Sequence, residues 1–508
     1  MSFTLLGSRF SVRVHVRFSV RRAARAATVA LLLCAGARTA GAQSPLVDAV
    51  RAGNAAQVRA LIDTRVDVNA SQPDGTTPLH WAVDRDRPDI VQMLIRAGAN
   101  VKAANRYGAT PLWLASVNGD AKTIAMLLEG GADAGSANAD GETALMVAAR
   151  TGKTDAVNLL LARGADPNVK EGWRGQTALM WAAAEGHAAV IDLLVARGAD
   201  LKMRSNAGFT ALLFAAREGR IAAVEALLKA GADMNDSLPV KRRGPQAANQ
   251  APAPPPPALE VGLNAFLLAA ANAHYELAAR LLDRGADPNA APQGYTALHQ
   301  VSWVRKAGVS GSNNPAPQGS GTMDSLTFVR KLVAKGAQLN ARVTKRPGMG
   351  VTTLNSIGAT PFLLAARTAD APLMKLLADL GADPMLTNED GSTPLMVAAG
   401  LGTNAPGEDP GTEPEVLEAV KVALDLGNDL NAVDKNGETA MHGAAYKHVP
   451  SVVRYLAENG AKIEVWNRPN SKGWTPLTIT EGVQRGMNIV SSAPTAAVIR
   501  EVMGVRGG

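Results

Sequence analysis

The chain repeats itself at a fixed interval, and this limits its fold more than any other feature does. A glycine precedes each T-P-L or T-A-L phrase at Gly75, Gly108, Gly141, Gly175 and Gly208, and these glycines are 33 or 34 residues apart. The pattern resumes at Gly262, Gly294, Gly358, Gly391, Gly437 and Gly473. A second phrase, G-A-D or G-A-N, closes the unit at Gly98, Gly131, Gly164, Gly198, Gly231, Gly285 and Gly381. Two phrases held in register at this period mark a stack of short units, not a domain with a single core.

Residues 74–102, DGTTPLHWAVDRDRPDIVQMLIRAGANVK, show what one unit must do. Thr77 is placed to cap a helix, since its hydroxyl can accept an otherwise orphaned backbone N–H. Pro78 follows where its missing N–H costs nothing. Leu79, Ala82 and Val83 then make one apolar helical face, and Ile90, Val91, Leu94 and Ile95 make that of a second helix. Gly98 suits the left-handed residue that ends it. Threonines recur at the cap as Thr110, Thr143, Thr177, Thr210, Thr296, Thr360, Thr393, Thr439 and Thr475, with Asn264 once in their place. Neither helix can bury its face alone, so neighbouring units must supply the cover.

These phrases resemble those of the ankyrin-repeat family, from residue 44 to the C-terminus. The resemblance implies an all-α solenoid of about twelve helix-turn-helix-hairpin units with long insertions. It also implies a scaffold that binds another protein through its hairpin tips and the exposed face of its inner helices.

The first 42 residues differ from the rest. They hold seven arginines and no acid, an apolar run over residues 26–37, and the phrase Ala40-Gly41-Ala42. That order is expected of an export signal cleaved after Ala42, and the run is too short to cross a bilayer comfortably. Of the chain's 52 basic residues, removal of these seven leaves 45, against 45 acidic. The mature chain is then near neutral, and the basic balance gives no ground for nucleic-acid binding. The single cysteine, Cys34, also leaves, which suits an oxidising compartment. The expectation is an exported protein of the periplasm or extracellular space, with no membrane insertion after cleavage.

The expected divisions are the signal peptide at 1–42, a regular array at 43–236, a proline-rich insertion at 237–262, and an irregular array at 263–508. Residues 241–261, KRRGPQAANQAPAPPPPALEV, read as an extended spacer in preference to a docking segment. Further excess lies in residues 308–321 and 403–413, between helices, and in residues 344–356, in a hairpin. Inter-helix turns and hairpins fall at opposite edges of such a stack, so these insertions are expected to decorate both edges.

No constellation of catalytic residues appears. His80, His299 and His442 occupy the fourth place of the T-P-L-H phrase, where the resemblance implies bonds between repeats in preference to metal binding. No H-E-x-x-H is present, and Gly152-Lys153-Thr154 lacks the earlier glycine of a phosphate loop, having Val147 there. The expectation is therefore no enzyme, no metal and no cofactor. The alternatives are an effector that binds a foreign protein, and an enzyme or metal site within the irregular half. Large aromatics at positions expected to be exposed are the candidate partner-binding residues: Tyr107, Trp173, Phe209, Tyr295, Trp303, Tyr446 and Trp474. Trp81 and Trp181 are read as packing residues.

Overall fold

The computed structural model describes residues 44–239, 262–306, 317–347, 352–407, 409–485 and 488–504. The expected export signal, with Cys34, and nearly all of the proline-rich insertion lie outside the described residues. Among those described are 25 helices and one short antiparallel hairpin, Val483–Arg485 with Asn488–Val490. The helices form twelve consecutive pairs, each with an inner and an outer member, plus the short helix Ile463–Trp466. The architecture is an all-α repeat solenoid.

Local chemistry sets each pair. In unit two the inner helix is Pro78–Asp84 and the outer helix Pro88–Arg96. Thr77 caps the first by accepting the His80 N–H. The His80 ring returns the favour: its Nδ1 accepts the Thr77 N–H at 3.1 Å, which leaves Nε2–H to donate to the Ala109 carbonyl of the next unit at 3.0 Å. One side chain thus closes a capping box and ties two repeats together. His299 repeats the arrangement, with Nε2 2.9 Å from the Ala341 carbonyl. Burial pushes His299 and His442 down to about 4, so both stay neutral in the folded chain near neutral pH.

The units join in two ways. Successive inner helices pack against one another in an unbroken row from Pro45–Arg51 to Pro476–Gly482. Consecutive hairpins are linked by single backbone bonds, such as Arg106 N–H to Asp74 O, Ala139 N–H to Tyr107 O, Gly172 N–H to Asp140 O and Asn206 N–H to Arg174 O. The hairpins come so close that a Cβ on Gly108 would lie 2.5 Å from the Ala139 nitrogen. Glycine is required there both by this approach and by its φ of +71°.

The row crosses the proline-rich insertion without a gap. Helix Ala211–Arg217 packs directly on Ala265–Ala271. Leu238 N–H donates to Leu263 O at 3.0 Å and Gly262 N–H to Leu238 O at 2.9 Å, so the two ends of the insertion are clasped together.

One expectation about the insertions is corrected. The sequence places the excess at residues 344–356 and 403–413 on opposite edges. In the structure the two meet, with Thr352 and Thr403 as antiparallel bridge partners. Leu354 shares an apolar cluster with Trp303, Leu363 and Val397, on the inner helices of units eight to ten. Repeat spacing fixes where an insertion leaves the stack, but not how far it can reach.

Candidate partner-binding surface

The surface is best built from the hairpin that precedes unit five, which is one residue longer than its neighbours. The extra residue opens a turn around the Glu171 carboxylate. That carboxylate accepts the backbone N–H groups of Trp173 at 2.6 Å, Arg174 at 2.8 Å and Gln176 at 2.9 Å. Asn206 of the next hairpin donates to the Trp173 carbonyl at 3.1 Å. The backbone is therefore pinned on both sides, while the indole points outward and is 71% exposed. The Arg174 guanidinium lies 4.2 Å from the ring centroid, a cation–π contact at its flank. Trp173 is the one exposed aromatic among the described residues, the others being half-buried or buried.

Tyr107 and Trp474, also on hairpins, are half-buried. Each lies beside a cation: Arg106 is 4.9 Å from the Tyr107 ring and Lys472 is 4.9 Å from the Trp474 ring. On the inner helices the same pairing runs between units. Arg51 stacks on Trp81 at 4.7 Å and Arg150 on Trp181 at 4.6 Å, each arginine reaching from one inner helix to an aromatic on a later one. Trp81 is buried, with its indole N–H on Gln72, whereas Trp181 is only half-buried.

For four candidates the expected exposure is overturned. Phe209 is buried, its ring 5.0 Å from Phe214 and 4.8 Å from the Arg217 guanidinium. Its N–H donates to the Ser205 hydroxyl and its carbonyl accepts the Ser205 N–H, and the ring lies over its own unit's inner helix. Tyr295 and Trp303 are buried against each other, edge to face at 4.9 Å, and Leu354 joins them in one apolar cluster. Tyr446 is buried in a polar knot between units eleven and twelve. Its hydroxyl donates to Glu438 Oε1 at 3.0 Å, and Asn470 Nδ2 donates to the same oxygen at 2.8 Å. These four rings brace the stack, and no guest can reach them in this conformation.

The knot around Glu438 is a site that repeat pattern alone does not reveal. Burial pushes its carboxyl up to about 7 from an ordinary 4.5, outweighing the bonds from Tyr446 and Asn470. The folded value is above the unfolded one, so the group favours the fold when protonated. That contribution is complete below about pH 4.5 and is lost as pH rises through about 7. Glu438→Gln keeps an oxygen for both donors and carries no charge. It should raise the melting temperature relative to the unmutated chain at pH 8, with the difference closing near pH 4.5. Thermal melts at the two pH values check this, and a difference independent of pH would contradict it.

Among the described residues, no group of three or more His, Cys, Asp or Glu side chains is placed to hold a metal ion, and no helix is long and apolar enough to cross a membrane. A family model described as "Ankyrin repeats (3 copies)" matches residues 20–105, 97–171, 161–237 and 413–482, together more than half of the 508 residues.

Proposed function

Because the chain belongs to the ankyrin-repeat family, whose stacks generally serve as protein–protein interaction modules and are typically non-enzymatic scaffolds, we propose that it is an exported scaffold or adaptor. It recognises its protein partner along the hairpin rim and inner helices of the regular array, with Trp173 as the anchor. The observation that carries this reading is the combination of a pinned turn with a tryptophan 71% exposed. Leaving so much apolar surface in water is unfavourable, and a rigid backbone lowers the entropy cost of docking that surface into a partner pocket. Tyr107, half-buried beside Arg106, is a secondary contact on the same rim, and Trp474, half-buried beside Lys472, continues the rim in the irregular array.

The arginine-rich start of the sequence supports export, to the periplasm or beyond the cell. Fractionation separates the two destinations. Mature protein in the periplasm fits a resident scaffold, whereas recovery from the medium fits an effector that meets a foreign protein. Mature protein confined to the cytoplasm would contradict both.

A further inference from the structure

The inner helices of units eight to ten carry two apolar faces. In helix Pro361–Arg367, Phe362, Ala365 and Ala366 enter the principal core, while Leu363 and Leu364 belong to a separate cluster. The same division separates Val301 from Trp303 in helix Ala297–Val304, and Met396 from Val397 in helix Pro394–Ala399. This second face is the one a repeat stack turns toward a guest. Here it is already taken.

The occupant is a short segment of the chain itself, paired at Thr352 and bent at Leu354. Leu354 is buried in the second cluster. Thr353 N–H donates to the Gly402 carbonyl at 3.0 Å, and the Thr352 hydroxyl donates to the same oxygen at 2.9 Å. Gly402 has a φ of +91°, and a Cβ there would lie 2.5 Å from Leu354 Cβ, so the close approach depends on glycine. The cover is also additional to the repeats. The principal core runs beneath it through Val301, Phe362 and Met396, and Leu354 takes no part in that core.

We propose that residues 352–356 are a built-in occupant of a peptide-binding face. That face takes from a protein partner a short bent segment that sets one branched aliphatic side chain among Trp303, Leu363 and Val397. The guest's backbone pairs with Gly402 and Thr403, as the chain's own segment does, and the two compete. The inference rests on the protein-binding reading above but uses a different surface, so loss of Trp173 binding and failure of this site are separable results.

The test uses the full chain with Cys34→Ser and a labelled, end-capped peptide of sequence TTLNS, the sequence of residues 352–356. Leu354→Asp expels the occupant. Thr352→Cys with Thr403→Cys locks it, because the bond from Thr353 N–H to Gly402 O makes Thr352 and Thr403 a non-hydrogen-bonded antiparallel pair, whose close Cα atoms admit a disulfide. The expected result is that Leu354→Asp binds the peptide at least tenfold more tightly than the unmutated chain. The oxidised lock should bind none, and reduction should restore the unmutated level. The proposal is overturned if folded Leu354→Asp binds no more tightly than the unmutated chain, or if locked and reduced proteins bind alike. Failure of the disulfide to form, or unfolding of Leu354→Asp, overturns it too, since the segment would then not be a cover on a complete core.

Discussion

Phe209→Ala should lower the unfolding free energy by about 3–5 kcal/mol, the usual cost of emptying a buried phenylalanine site. The side chain is 2% exposed and touches two partners that cannot follow it. Phe214 is fixed on the inner helix Ala211–Arg217, and Arg217 has the Phe209 and Phe214 rings as its apolar cover. The Phe209 backbone is bonded to Ser205, so the turn cannot collapse into the gap. In a stack each unit leans on its neighbours, so the loss should spread to the adjoining pairs. Urea titration of the single mutant measures it. A loss under about 1 kcal/mol would mean that the ring is not the internal brace described here. Phe209 is therefore a probe of stability and unsuitable as a probe of binding.

Trp173→Ala should leave the urea midpoint nearly unchanged and weaken partner capture by about 2–4 kcal/mol, roughly 30-fold or more. Both halves follow from the geometry. The turn is held by the Glu171 carboxylate and by Asn206, which touch the Trp173 backbone and not its indole. Removing the ring leaves these bonds in place. What disappears is the largest apolar surface on the rim, with the flank that Arg174 covers. Arg174→Ala should weaken capture less, because the cation contributes at an exposed edge. Equal capture by Trp173→Ala and the unmutated chain would remove the anchor from the account.

The units and their caps were legible from residue types at fixed positions. Thr77, Pro78 and Gly98 each have a backbone reason to be where they are. His80 illustrates the limit of that reading: its place in the phrase pointed to a bond between repeats, but the Ala109 carbonyl that it meets had to be seen in the structure. The candidate surface was only partly legible. Phe209 and Tyr295 directly precede the capping threonine and fold inward, whereas Trp173 lies earlier in its hairpin, before Gly175, and points out. The difference lies in position along the hairpin. Glu171 gathers three N–H groups around the extra residue and so holds Trp173 out at the turn, while Phe209 sits further along its hairpin, against Phe214 of its own inner helix. That extra residue was visible in the 34-residue spacing before Gly175 and was the available sign that Trp173 differs. The burial of Trp303 was not legible, because its cover comes from Leu354, in a hairpin insertion about 50 residues further along. Burial of Glu438 was hidden for a similar reason, since Asn470 and Tyr446 meet it from separate segments.

On the proposed function, the hairpin rim around Trp173 grips another protein while the outer helices do not. The most direct measurement places a photoreactive amino acid at position 173, and in a second strain at the exposed outer-helix position Lys122, with the protein expressed in its own cells at its normal level. Illumination should join position 173 to one discrete protein and yield no such adduct from position 122. The same adducts from both positions, or none from 173, would contradict the account.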